Sequence, residues 1–335
     1  MTAINRRSAV KAALGATGLW AIGAAPATAQ SVAPTLPESA RIVVGFPPGG
    51  GVDLIARRLA EQLTGKLARS VVVDNRPGAA GRIAVDIARQ SPTDGTTLLL
   101  NPAGVLTINP HTYKKSSYDP FKDFTAISLV ALIDFGFAVG PAVPADVQNI
   151  ADFAKWAKGN IGKVTFGSPA AGAPPHFVGD VLSRSLGLEM THVPYRGGTP
   201  AMTDLIGGQI SGVVLTLGDL IQPAKAGRVR LLASTGPARS KFAPDVPTFA
   251  EQNVPGLDMR DWFAVCLVGT VPPDVTARVV PLVRTALASP QYLQGLATIG
   301  IEAASSTPQE VDRMVRVDYE RWAAIVKASG FVADV

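Results

Sequence analysis

Short continuous apolar runs alternate along this chain with segments whose apolar positions recur at helical spacing. That alternation predicts strands in parallel order with helices on the sheet faces. "RIVVG" reads as a strand, and Val52, Ile55, Leu59 and Leu63 then share one face of a helix. "SVVVDN" is extended, "AAGRIAVDIARQ" helical and "TTLLL" extended, which completes a βαβαβ unit. A second unit begins near "FAVGPAV". Asn149 caps "IADFAKWAKG", "KVTFGS" is a strand, and Pro174 and Pro175 lead into "HFVGDVLSRSLG". "MTHVPY" is extended, Thr199 and Pro200 supply a cap and first-turn proline for "AMTDLIGG", and "ISGVVLT" and "VRLLAS" are two more strands. Beyond them come the strand "DWFAVCLVG", the helix "PPDVTARVVPLVRTALAS", and a capping box of Thr307 and Glu310 that opens a final long helix.

This last segment has too few strands for a third domain and is expected to pack back on the first unit. The reading is therefore two lobes, since a chain of 335 residues exceeds what one hydrophobic core serves. Lobe 1 comprises residues 30–130 and 253–335, lobe 2 residues 131–252, and two crossing strands near Val130 and Asn253 form a hinge. Residues 1–29 read as an export signal. Arg6, Arg7 and Lys11 precede the apolar run "AALGATGLWAIGAA", and Ala27-Thr28-Ala29 is a cleavage pattern. The paired arginines resemble a twin-arginine signal, and the apolar run is too short for a membrane anchor. The expected location is the periplasm. Removing Arg6, Arg7 and Lys11 with no acidic residue lowers the formal charge from +5 to +2. So small and scattered an excess argues against nucleic acid as a partner. Cys266 is the single cysteine, so no intrachain disulfide forms, and its apolar neighbours favour a buried thiol.

The chemistry-bearing feature is a set of small-residue turns at strand ends. "GFPPGGGVD" lacks the lysine of a P-loop, and Gly45, Gly49, Gly50 and Gly51 miss the dinucleotide-binding spacing. What remains is bare backbone at a helix start, which suits a carboxylate. Asp53 is expected to cap that helix, with ligand contact as its other role. "TFGSPAAGAPPHF" places a second such loop, Gly167 to Gly172, before a helix, with the Ser168 hydroxyl added. Asn101, Ala103 and Gly104 follow "TTLLL" on the same sheet edge as the first turn, and Gly197, Gly198 and Thr199 precede another helix. His176 at a helix start and Tyr195 before the fourth turn are further contact candidates, each also suited to packing.

Catalysis finds little support. No G-x-S-x-G occurs, and His111, His176 and His192 are expected to have neither metal-ligand spacing nor a carboxylate or cysteine partner at helical or hairpin distance. No metal or cofactor is expected.

The blocks "VGFPPGGGVDLIAR", "VDNRPGAAGRIA", "DGTTLLL", "INPHTY", "YDPFKDFTAISLVA", "FGSPAAGAPPHF", "HVPYRGGTPAMTDLIGGQI", "AGRVRLLAS", "PDVPTFAE" and "WFAVCLVGTVPPDVTARV" together carry a resemblance. In this order they resemble the Bug-type extracytoplasmic solute receptors, the substrate-binding proteins of tripartite tricarboxylate transporters. The resemblance runs from about Arg41 to Arg321. It implies an α/β periplasmic-binding fold of the second type, each lobe a mostly parallel sheet flanked by helices. It also implies a small carboxylate ligand (a di- or tricarboxylate, an acidic amino acid or an aromatic acid) delivered to membrane permease subunits, and a monomer suits a carrier that must open and close freely. The family's first ligand loop falls on Phe46, Pro47, Pro48, Gly49, Gly50 and Asp53, and its second on Gly167, Ser168, Ala170 and Gly172. Two positions depart from the pattern: Arg82 replaces a frequent asparagine, and Thr216 stands about where relatives often place an acid. An exported hydrolase or isomerase using His176 or Ser168, and a sensory receptor for the same ligands, are the alternatives.

Overall fold

The computed structural model describes residues 36–333 except 115 and 259. The expected export signal over residues 1–29 lies outside the described residues. The chain first runs through β1 (Ser39–Val44), α1 (Gly51–Leu63), β2 (Ser70–Asn75), α2 (Arg82–Arg89), β3 (Thr97–Pro102), the one-turn helices α3 (Gly104–Thr107) and α4 (Asn109–Thr112), and β4 (Phe124–Ile133). It continues through β5 (Phe135–Val139), α5 (Ile150–Lys158), β6 (Thr165–Ser168), α6 (Pro174–Ser185), β7 (Thr191–Pro194), α7 (Gly198–Ile206), β8 (Gly212–Thr216), α8 (Leu217–Lys225) and β9 (Arg230–Ser234). It closes with β10 (Asp261–Val268), α9 (Pro273–Leu287), α10 (Pro290–Ala297), β11 (Glu302–Ala303) and α11 (Pro308–Ser329).

Two sheets result, with strand orders β11-β4-β10-β3-β1-β2 and β7-β6-β8-β5-β9. Each contains a parallel trio, β2-β1-β3 in one and β7-β6-β8 in the other. The strands beside the crossings, β4, β10, β5 and β9, pair antiparallel. The sheets are thus mixed rather than mostly parallel, because strands that carry the chain out of one sheet and back must run in opposite directions.

Only Asp134 separates β4 from β5, whereas the return from β9 to β10 takes residues 235–260. The two crossings touch: Thr235 N–H donates to the Phe135 carbonyl at 2.8 Å, and Phe135 N–H to Thr235 Oγ1 at 2.9 Å.

The inner parallel strands β1, β3, β6 and β8 are largely buried, which is why they read as apolar runs, while the edge strands β2 and β7 remain partly exposed. Ile42, Val44, Leu98 and Leu100 meet Ile55, Leu59 and Leu63 of α1 and Val279 and Val283 of α9. Val43 and Leu99 meet Ala84 and Val85 of α2 on the other face. The final helix keeps both halves of its capping box, and Val311 and Val315 settle it on Ala126, Leu129, Trp262 and Cys266 of the first sheet. Cys266 is buried there. A separate cluster of Ile108, Phe177, Trp322 and Val326 joins α6 to α11. Among the described residues no helix is long and apolar enough to cross a membrane.

Candidate functional site

The parallel strands of both sheets end in small-residue turns. At the end of β1 the turn is tied down from inside. Asn75 Nδ2 donates to the Phe46 carbonyl at 3.1 Å and to Asp53 Oδ1 at 2.9 Å. Asp53 Oδ2 accepts from the Gly49 amide and from Arg57 Nε, each at 2.9 Å. Burial alone would raise the Asp53 carboxyl, but the bonds from Arg57, Gly49 and Asn75 and the Arg57 charge outweigh it and hold the group below its ordinary value. Asp53 was expected as the helix cap or a ligand contact. The cap is instead Gly50, and Asp53 is a buried tie between loop, helix and β2.

Gly49 has φ 83°, a left-handed conformation that favours glycine. Its amide faces Asp53, and Pro48 and Gly49 form a turn that brings Gly50 back toward the Pro47 carbonyl, while the amides of Gly51 and Val52 have no hydrogen-bond partner among the described residues. Pro47, Pro48, Gly49 and Gly50 are exposed. Phe46 is half-buried and packs beside Gly81.

At the end of β3, Asn101, Ala103 and Gly104 are all buried. Asn101 is 1% exposed, and neither atom of its amide has a protein partner. Gly104 lies against the start of α6, since a Cβ placed there would be 3.4 Å from Pro174 Cδ. The two sheets' helix starts therefore meet across this point.

The loop after β6 is likewise held from within. Ser168 Oγ donates to the Ala170 carbonyl at 3.1 Å and lies 2.8 Å from His192 Nε2. The Gly172 amide donates to His176 Nδ1 at 3.1 Å. The Ser168 and Pro169 carbonyls accept from Tyr195 and Gly197, each at 2.9 Å. The amides of Ala170 and Ala171 make no hydrogen bond within this loop and take no part in its internal ties.

Several residues expected as ligand contacts are also engaged within the protein. Ser168 is 0% exposed and its hydroxyl is engaged internally. His176 lies beneath the loop, with Nδ1 on Gly172 and Nε2 3.5 Å from Asp180. That carboxylate stands one helical turn beyond His176, a partner the sequence reading overlooked. The Tyr195 ring covers Gly167, where a Cβ would meet it at 2.9 Å, and its hydroxyl donates to Asp204 at 2.7 Å.

Other elements at this end had no signal in the sequence. A Cβ on Gly218, at the start of α8, would lie 2.4 Å from the Ile299 carbonyl, and one on Gly51 would lie 3.7 Å from Ile301. The segment between α10 and β11 therefore borders both the first glycine turn and the α8 start. Thr216 donates to Asp219 at 2.7 Å, so an acid lies three residues beyond the position where threonine departs from the family pattern. No group of His, Cys, Asp and Glu able to hold a metal occurs among the described residues.

Two α/β sheets joined by two adjoining crossings, with buttressed small-residue turns at the strand ends, define the two-lobed solute-binding class. The chain belongs to the tripartite tricarboxylate transporter family receptors, whose family model matches residues 55–331. It is 33% identical over 287 residues to a protein of the tcbD-tcbE intergenic region of Pseudomonas sp. (strain P51), covering 85% of this chain and 84% of that one. Among solved structures it is similar to R. palustris Rpa4515 with adipate, at TM-score 0.82 and 30% identity over 88% of this chain and 98% of that one. It is similar also to the periplasmic binding protein BugD, at TM-score 0.81 and 29% identity over 89% and 99%. These are binding proteins, and the chain is one too rather than an enzyme.

Proposed function

We propose that this protein captures a small carboxylate between two lobes and hands it to the membrane permease subunits of a tripartite transporter. The lobes are residues 30–130 with 253–335, and residues 131–252. Closure is hinge bending at the two crossings, the working form is a monomer, and the location is the periplasm. The observation that carries this reading is the pair of free amides at Gly51 and Val52, at a helix start whose preceding loop is already tied down by Asp53 and Asn75. A helix start with unpaired amides attracts an anion. Ala170 and Ala171 supply the corresponding free amides of the second lobe. The buried Asn101 amide adds an unmet requirement worth about 1–3 kcal/mol, which ligand or bound water at the sheet edge would satisfy. Adipate in the similar Rpa4515 supports a carboxylate as the ligand class.

A thermal-shift screen of aliphatic mono-, di- and tricarboxylates, acidic amino acids and aromatic acids tests this. A ligand at about 100 times its Kd stabilises the fold by about 2.7 kcal/mol, a readily measured rise in Tm. Stabilisation by a neutral sugar with none by any carboxylate would overturn the reading.

A further inference from the structure

Four polar side chains lie beneath the second-lobe loop. Ser168 Oγ lies 3.1 Å from the Ala170 carbonyl and 2.8 Å from His192 Nε2, so when the hydroxyl donates to Ala170 the neutral His192 tautomer protonated at Nε2 donates to Ser168. His176 Nδ1 accepts the Gly172 amide and must be unprotonated, which leaves its Nε2–H facing Asp180. The two imidazoles stack with centroids 3.8 Å apart and planes at 17°. Phe166 packs on both rings, and Phe177 and Phe331 on His176. The charged or titratable groups facing this pair are Asp180 from its own helix, with Arg184 acting on that carboxyl, and each histidine on the other. Ala170 O and Gly172 N–H are pulled inward, and the Ala170 and Ala171 amides are what the loop has left to offer.

We propose that His176 is a positioning residue for ligand capture: as a neutral imidazole stacked on His192 it fixes the loop from Ser168 to Gly172, and its protonation frees that loop and weakens binding. This rests on the carboxylate reading above. Protonation converts Nδ1 from acceptor to donor, which sets N–H against the Gly172 N–H. Burial lowers both histidines, that of His192 to about 3 with the charge of His176 adding to it, while Asp180 works to raise His176. A histidine lowered by the fold stays neutral at pH 7. Its support is lost as pH falls from 6.5 through its folded value.

The test measures adipate and succinate affinity by calorimetry from pH 8 to 4.5 on the full protein, with circular dichroism confirming the fold. In His176→Asn the side-chain oxygen takes the place of Nδ1 without titrating. It should match wild type within about threefold at pH 8, and the ratio of its affinity to wild type should grow as pH falls. That ratio cancels protonation of the ligand. His176→Leu, which has no acceptor, should bind about tenfold more weakly at every pH, and Asp180→Asn should shift the wild-type loss to lower pH. Parallel pH profiles for wild type and His176→Asn would overturn the proposal. Hydrogen exchange of the Gly172 amide in unliganded protein gives a second readout, with faster exchange expected in His176→Leu and in acidified wild type. Loosening of Gly172 with no binding of either acid would sink the carboxylate reading and leave the positioning role standing. Unchanged Gly172 exchange would overturn the positioning role itself.

Discussion

Asp53 and Gly51 share the first turn of α1 and serve opposite sides of it. The Asp53 carboxylate accepts everything the loop turns inward, whereas the Gly51 amide faces no acceptor. Gly51 is the first helical residue, where proline is tolerated, and Gly50 before it is extended, as a residue preceding proline prefers. Gly51→Pro should therefore leave Tm of the free protein nearly unchanged while deleting one donor to a charged ligand. Loss of such a bond, about 1.5–3 kcal/mol, predicts affinity lower by roughly 10- to 100-fold in calorimetry. Asp53→Ala should instead destabilise the fold, by about 1–3 kcal/mol in urea unfolding at pH 7. The Asp53 carboxyl is depressed in the fold, so its contribution is full above pH 3.8 and fades as pH falls through the folded value. The variant's deficit should shrink accordingly near pH 3. The glycines and Asp53 were legible as a turn before a helix. Which amides stay free was not, because that depends on Asn75 arriving from β2, a partner 22 residues away in the chain.

Strands and long helices follow the sequence closely because burial on two faces, or on one helical stripe, leaves an unmistakable pattern. Helix starts follow it less well. Asn149 and Thr307 cap their helices as read, each accepting from the backbone amide three residues on. Thr199 does not: α7 begins at Gly198, with Gly197 as its cap at φ 113° and the Gly197 amide bonded to Pro169. A long-range bond between loops there overrides local capping preference. The His176–Asp180 pair had the ordinary spacing of helical neighbours and could have been found. The brief α3, α4 and β11 carry no periodicity to read.

A charged residue heading an apolar strand is informative in another way. Asp261 opens β10 in full burial, and that burial pushes its carboxyl up to about 7, the Trp262 amide working against it and Asp318 with it. A carboxyl raised in the fold favours folding at low pH, and that advantage is lost as pH rises from 3.8 through 7. Asp261→Asn should thus raise stability at pH 8, on the order of 2 kcal/mol, and change it little near pH 4. Thermal denaturation at the two pH values checks this, and an equal effect at both would exclude the ionisation as its cause.

At the scale of the whole molecule, the two crossings are fastened by one guanidinium. Arg260, just before β10, holds Asp134 Oδ1 at 2.7 Å and Oδ2 at 3.2 Å, and reaches Glu302 Oε2 of β11 at 2.7 Å. Asp134 is the single residue between β4 and β5, and its carbonyl accepts the first amide of α8, from Leu217, at 2.8 Å. One cluster thus links the outgoing crossing, the returning crossing, the edge strand of the first sheet and a helix of the second. Burial raises the Asp134 carboxyl, Arg260 opposes that shift, and Glu302 adds to it. Removing Arg260 would leave two carboxylates facing each other, one of them buried. Breaking a buried pair from one side costs about 3–5 kcal/mol, whereas neutralising both sides costs far less. Arg260→Met should therefore lose about 3 kcal/mol in urea unfolding at pH 7, and Asp134→Asn added to it should recover most of that loss. In the single variant Asp134 is raised further, so its deficit should widen as pH rises from 4 to 7 and vanish in the double variant. Equal stabilities of the single and double variants at pH 7 would show that the crossings are held by their paired backbone, Phe135 to Thr235, and that the ion cluster only decorates them.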